Sequence, residues 1–289
     1  MSEQRITLSE LGEPLVNARS AEIYPLPAHK ILKLFHPVVS SETARWERVN
    51  AEEAHAKGAT RISCHGEVEV GGRYGIIMSR LDGTTLTKST DSNPLNLFRI
   101  PLTLARLHAN IHTSHTEKLQ DVRQVIANYL DRPPMSFLPV SDRELARRYI
   151  LGLPAGNSLL HMDFHTDNIL VSKHDATVID WATAARGEAG ADLAMTYFLF
   201  NEAELFPGIS KLQEMLYNAF RKFIYRGYER HYKAIRGMST EEFHATIQRW
   251  YLPALICRLA AWEAPTEVER LRRKIKDIIS KLPRSEGAR

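Results

Sequence analysis

The chain has 289 residues, with 38 Lys and Arg against 34 Asp and Glu, a formal charge of +4. Apolar residues make up 44% and charged residues 25%, which excludes collagen-like and wholly disordered chains. The mild positive charge permits an anionic partner without requiring one.

The opening MSEQRITLSELGE mixes charge and polarity and lacks the apolar segment of a secretory signal. Neither dense apolar stretch reads as a membrane span. Residues 193–200 are too few, and residues 251–262 contain Pro253 and Arg258. Cys64 and Cys257 form no CxxC or zinc-finger spacing, so two free thiols in a reducing cytoplasm are expected.

In chain order, residues 21–24 and 31–35 are apolar runs flanking a Pro-containing turn, which predicts a hairpin. Ser40 and Ser41 can cap a helix carrying Ala44, Trp46, Val49 and Ala54 and ending at Gly58. Residues 67–70 and 74–78 flank Gly71-Gly72, a second hairpin. From about residue 80 the pattern turns helical. Leu104, Leu107 and Ile111 form a buried stripe, and Val268, Leu271, Ile275 and Ile278 another, with Arg and Lys opposite. The expected class is α+β: a small β-rich N-terminal lobe over 1–80 and a mainly helical C-terminal lobe over 81–289, with a cleft where two lobes meet.

The richest chemistry lies in His161-Met162-Asp163-Phe164-His165-Thr166-Asp167-Asn168, which leads into an apolar strand. A turn at residues 173–176 leads to a second strand that ends at Asp180-Trp181. Carboxylates buried at strand ends are costly unless they bind a cation or accept hydrogen bonds. Phosphoryl transfer uses such a set: one carboxylate to orient and deprotonate a hydroxyl, and an oxygen pair to hold magnesium. Asp163 and Asn168 stand five residues apart, the spacing of Asp and Asn in a kinase catalytic loop.

This segment resembles the catalytic loop of the aminoglycoside phosphotransferase and choline kinase family, which has a protein-kinase-like fold. That family's pattern is His-Gly-Asp-x-His-x-x-Asn, then Ile-Asp-Trp, matched here by Ile179-Asp180-Trp181. Gly190-Ala191-Asp192-Leu193-Ala194 resembles its Asp-Leu-Ala element. The resemblance implies ATP and Mg2+ as cofactors, Asp163 as catalytic base, and Asn168 and Asp180 as metal ligands. It also implies that Asp192 braces the loop. Met162 departs from the pattern, standing where the family usually has Gly.

The same frame assigns Lys33, a charge inside an apolar run, to the ATP phosphates and Glu47 to hold it, with Glu52 and Glu53 in competition. Residues 17–21 would cover the phosphates, without the glycine relatives carry there. Residues 78–81 would form the hinge, with Ser79 and Leu81 binding adenine through the backbone.

Blander roles stand beside these. Lys33 could be an edge-strand Lys, and Glu47 could lie on a solvated helix face. His161 and His165 have a transition-metal spacing, which with Asp163 would make a metal-dependent hydrolase; otherwise they hydrogen-bond the loop backbone. His108, His112 and His115 read as partly exposed structural histidines, and Met195, Tyr197 and Phe198 as core. The reading is a small-molecule kinase with a hydroxylated acceptor, no nucleic-acid or membrane partner, and no oligomeric state set by the sequence. A nucleotide-binding pseudokinase or regulatory module is the alternative. A polycationic acceptor would call on acids such as Glu188, Glu202 and Glu204; sugars, amino alcohols and macrolides are equally open.

Overall fold

Strands β1 (Val16–Asn17), β2 (Ala21–Leu26) and β3 (Lys30–Phe35) precede helix α1 (Ser41–Ala56) and strands β4 (Cys64–Val70) and β5 (Arg73–Ser79). Next come β6 (Thr84–Thr85), α2 (Ser89–Ser92), α3 (Ile100–Thr113), α4 (Val122–Tyr129) and α5 (Val140–Leu151). Short strands β7 (Ser158–Leu160), β8 (Ile169–Val171), β9 (Ala176–Val178) and β10 (Ala185–Gly187) follow. The chain ends in α6 (Gly190–Asn201), α7 (Lys211–Arg236), α8 (Thr240–Trp262) and α9 (Val268–Ser280). This computed structural model describes residues 7–172, 175–204, 210–262 and 266–284. The first two positions of the turn expected at 173–176 lie outside the described residues, as does the start of the N-terminal segment.

Two units are present: Met1–Pro94 with Thr166–Ala184, and Leu95–His165 with Ala185–Arg289. In the first, an antiparallel sheet runs β1-β2-β3-β5-β4. The expected hairpin is β2–β3, with Ile23 opposite Lys33 and Tyr24 opposite Leu32. Alternation sends Leu32 and Leu34 into a cluster with Leu11, Tyr24 and Val70, and turns Lys33 to the opposite face. Because β3 lies between β2 and β5, Lys33 is not an edge-strand residue. Ser40 starts α1 as expected, its hydroxyl accepting from the Thr43 amide at 3.1 Å. Gly71 and Gly72 carry φ of 58° and 74°, the pair of left-handed positions a two-residue hairpin turn needs.

The break expected near residue 80 falls differently. The first unit runs on to Pro94 and takes back Thr166–Ala184. The physical reason is strand pairing. β6 pairs with β8, Thr84 opposite Val171 and Thr85 opposite Leu170, while β8 pairs with β9. Hydrogen bonds tie β9 in further: the Thr60 hydroxyl donates to Val178 O at 2.6 Å, and Arg61 N donates to Thr177 Oγ1 at 3.0 Å.

The second unit is mainly helical. α3 packs on α7 and α6 on α8, while β7 pairs with β10. Its core holds Phe198, Tyr228, Tyr232, Phe243 and Trp250. Met195 and Phe198 are buried as expected, but Tyr197 is half-buried, its ring edge-on to Tyr225 and Tyr251. Gly190 opens α6 where a Cβ would stand 2.5 Å from Trp250 Cδ1, so the absence of a side chain lets α8 close on α6. Among the described residues no helix is long and apolar enough to cross a membrane.

Candidate active site

In the first unit, Lys33 reaches two carboxylates. Its ammonium donates to Glu47 Oε1 in a short contact and to Asp180 Oδ1 at 3.1 Å. Lys33 and Glu47 are buried, whereas 46% of the Asp180 side chain is exposed. Asp180 is therefore not the buried strand-end carboxylate expected from the sequence, because the strand stops at Val178 and the chain turns outward after it. The competing acids are engaged elsewhere. Glu52 accepts from Arg48 at 2.6 Å, and Glu53 lies 3.7 Å from Lys57.

Burial dominates the electrostatics of this triad. It pushes the Glu47 carboxyl up and would pull the Lys33 ammonium down. The carboxylates of Asp180 and Glu47 reverse the sign for Lys33, which ends raised and stays charged. Two carboxylates around one ammonium leave an excess of negative charge when both are ionised. A divalent cation beside Asp180 would relieve it.

Asn168 stands next to this triad by register. Ile169 faces Val178, and Ile179 N donates to Asn168 O at 2.9 Å, so Asp180 follows one position beyond the pair. Asp180 has φ of 62°, a left-handed conformation that Asp tolerates better than most residues. An amide oxygen and a partly exposed carboxylate oxygen suit a hard, oxygen-seeking cation such as Mg2+. The turn expected over the phosphates joins β1 to β2 and is closed by Ala18 N donating to Ala21 O at 2.9 Å. At the expected hinge, Ser79 N donates to Ser63 O and Arg80 N to His29 O. Leu81 lines a cavity of about 400 Å³ with His29, Arg61, Arg80 and Asp175 among its walls.

In the second unit the loop around Asp163 alternates between core and surface. Met162 and Phe164 are buried, at 3% and 0% exposure, and the Asp163 side chain keeps 19%. Met162 has φ of 63°. Glycine adopts this conformation at no steric cost, in keeping with the glycine of the pattern that this loop resembles. Here the Met side chain fills the apolar space beneath. Asp192, fully buried, accepts from the His161 amide at 2.6 Å and the Met162 amide at 3.0 Å. His161 Nδ1 accepts from the Asp163 amide at 3.3 Å, and His165 Nε2 lies 3.6 Å from Asp163 Oδ2.

The metal-hydrolase grouping of His161, Asp163 and His165 is not assembled. Among the described residues the three groups that bring ligand atoms within 4.8 Å of one another are His108, His112 and Asp192. This corrects the expectation for the three histidines: His108 and His112 on α3 are fully buried, and His115, beyond the end of that helix, is exposed. Their ring nitrogens meet the hydroxyls of Tyr228 and Tyr232, each at 2.7 Å. Sequence reasoning passed over both tyrosines. The available signal was a matched spacing, two histidines and two tyrosines each four residues apart on separate helices.

Comparison with known proteins identifies the fold and the family. The APH phosphotransferase enzyme family matches residues 25–238. The crystal structure of aminoglycoside phosphotransferase APH(4)-Ia is similar with a TM-score of 0.61 and 15% identity, over 93% of this chain and 92% of that one. Amicoumacin kinase hAmiN, in complex with AMP-PNP, Ca2+ and Ami, gives a TM-score of 0.57 and 13% identity over 95% and 90%. Aminoglycoside-3'-phosphotransferase of type VIII gives 0.54 and 14% over 84% and 92%. No curated protein sequence matches. These likenesses show the protein-kinase-like fold, and the family match extends over more than half of the sequence: the chain belongs to the phosphotransferase enzyme family.

Proposed function

We propose that this phosphotransferase uses ATP and Mg2+ to phosphorylate a hydroxyl of a small molecule. The observation that carries the reading is the buried Lys33 held by Glu47 and Asp180, because an ammonium fixed between two carboxylates is arranged to meet phosphate oxygens. In this reading Asn168 and Asp180 hold Mg2+, which supplies charge neutralisation on the phosphates. Main-chain groups of Ser79 and Leu81 hold the adenine. Asp163 accepts a hydrogen bond from the acceptor hydroxyl, aligns its oxygen and takes its proton. Solved relatives fit: a thermostable mutant of APH(4)-Ia has been crystallised with AMP-PNP and hygromycin B.

The acceptor is best read as neutral or singly cationic. Glu188 accepts from the Trp250 indole with Arg249 nearby, and Glu202 accepts from the Tyr251 hydroxyl and from Lys274 at 2.6 Å. Glu204 has its main-chain amide on Glu267. Two of the three acids a polycation would call on, Glu188 and Glu202, are thus already matched by donors of this chain. A cavity of about 400 Å³ lined by Tyr197, Glu202, His244, Gln248 and Tyr251 offers aromatic walls with hydrogen-bonding groups.

Asp163→Asn tests the reading. Phosphate transfer from radiolabelled ATP to a panel of sugars, amino alcohols and macrolides is expected from the wild type and absent from the variant, with ATP binding retained. Near-normal turnover in Asp163→Asn would sink the assignment. Magnesium-dependent ATP binding with neither transfer nor ATP hydrolysis in the wild type would favour a regulatory nucleotide-binding module.

A further inference from the structure

We propose that His108, His112, Tyr228 and Tyr232 are positioning residues that set the catalytic loop through Asp192. The inference rests on the reading of Asp163 as the group that takes the acceptor proton.

Asp192 is a buried carboxylate surrounded by donors. Oδ1 accepts from the Met162 amide, and Oδ2 from the His161 amide. Two imidazole Nε2 atoms face the same Oδ2, His112 at 3.3 Å and His108 at 3.1 Å. Of the two, His112 meets that oxygen as a hydrogen bond, and His108 as a close electrostatic contact. All three side chains are fully buried, so no water compensates a misplaced proton. A nitrogen that faces a carboxylate oxygen must carry hydrogen. With one hydrogen on each ring Nδ1 is bare, and among the described residues the Tyr228 and Tyr232 hydroxyls are the donors that meet it, both at 2.7 Å. The tyrosines thus select the Nε2–H tautomer on both rings. His112 donates to Asp192, His108 sets its Nε2 against the same oxygen, and Asp192 holds two successive amides of the loop, one of them at the left-handed Met162. The residue after that pair is Asp163. Phe164 stacks on the His108 ring at 4.0 Å and 11°, a second link from α3 to the same loop.

The three residues His108, His112 and Asp192 also have the make-up of a metal site. The two arrangements differ in where the protons lie. A metal on the Nε2 atoms would force hydrogen onto both Nδ1 atoms.

Three measurements on the full chain decide. In 15N-histidine NMR the two buried rings are expected as Nε2–H tautomers; Nδ1–H on both, or stoichiometric zinc or iron by elemental analysis, overturns the proposal. In steady-state kinetics His112→Leu is expected to lower kcat about tenfold or more with KM for ATP within about twofold. His112→Gln, which keeps a donor near the Nε2 position, is expected to recover most of that loss. A folded His112→Leu with unchanged kcat, or equal losses in the Leu and Gln variants, overturns it. Tyr232→Phe is isosteric and serves if the Leu variant does not fold; it is expected to lower kcat several-fold, and unchanged kcat overturns the proposal. Failure of the Asp163 reading looks different: Asp163→Asn would keep its turnover while the tautomers remained as described.

Discussion

Lys33 Nζ lies 3.1 Å from Asp180 Oδ1 although 147 positions separate the two residues. Strand β3 brings one partner and the β8–β9 hairpin the other, and Glu47 on α1 completes the set. In the proposed reading Lys33 is the fixed cation on the phosphates, so Lys33→Met is expected to lower kcat/KM by about a hundredfold or more. It also strands Glu47, which is 5% exposed, as a buried acid without its cation. Breaking one half of such a pair costs about 3–5 kcal/mol, whereas replacing both halves by apolar groups is close to neutral. Lys33→Met with Glu47→Leu is therefore expected to regain most of the stability in urea unfolding and none of the activity. Equal stability of the single and double variants would mean that Glu47 is not held by Lys33.

Met162 presents two opposed terms. Its φ of 63° costs a non-glycine residue about 1–2 kcal/mol. Its burial at 3% exposure makes truncation cost about 2–5 kcal/mol. Packing wins, so Met162→Gly is expected to be less stable than the wild type by about 1–3 kcal/mol. Met162→Ala loses the same packing and keeps the backbone strain, so it is expected to be the less stable of the two. That order reverses the one found in helices and strands. Denaturant melts of the three proteins check it; Ala more stable than Gly would show the left-handed turn to be absent.

What could be read from sequence was whatever rests on local pattern. The β2–β3 and β4–β5 hairpins, the Ser40 cap and the closing helix follow from alternation, turn glycines and helical spacing. The phosphotransferase motif was legible because Asp163, Asn168 and Asp180 cluster within 18 residues. The unit boundary was not, because it depends on β6 pairing with β8 across more than eighty positions. The buried state of His108 and His112 was not either. A polar residue on an apolar helix face gives no sign of its partner when the partners, Asp192, Tyr228 and Tyr232, lie on other helices.

The turn between β2 and β3 uses left-handed φ at Ala28 (57°) and His29 (54°), both exposed. The three-residue turn Pro27–Ala28–His29 thus holds two residues where Asn and Gly are more at ease, and each mismatched residue stores strain. The variant Ala28→Asn with His29→Gly is expected to gain about 1–2 kcal/mol. A rise in the urea midpoint at unchanged slope is the expected reading; a fall would mean that the His29 ring itself stabilises the turn.

The buried His108 makes stability depend on pH with a definite sign. Burial first, and His112 second, hold its imidazole down to about 4, against the pull of Asp192. The groups that face it are His112 on its own helix, Asp192 on α6, His161 on the loop, and Tyr228 and Tyr232 on α7, with the Phe164 ring stacked on one side. In the unfolded chain this histidine takes up a proton near pH 6.5. Between pH 6.5 and about 4 the unfolded state therefore holds a proton that the folded state does not, and stability falls as pH falls. The contribution is complete above pH 6.5 and amounts to about 3 kcal/mol across the window. Asp192, held well below its ordinary range, adds acid sensitivity only below that window. Urea melts from pH 7.5 to 4.5 on the wild type and on His108→Asn isolate the term. The variant is expected to lose stability less steeply, by about 1.4 kcal/mol per pH unit near pH 5. Parallel slopes would show that His108 takes up its proton in the folded protein as readily as in the unfolded chain.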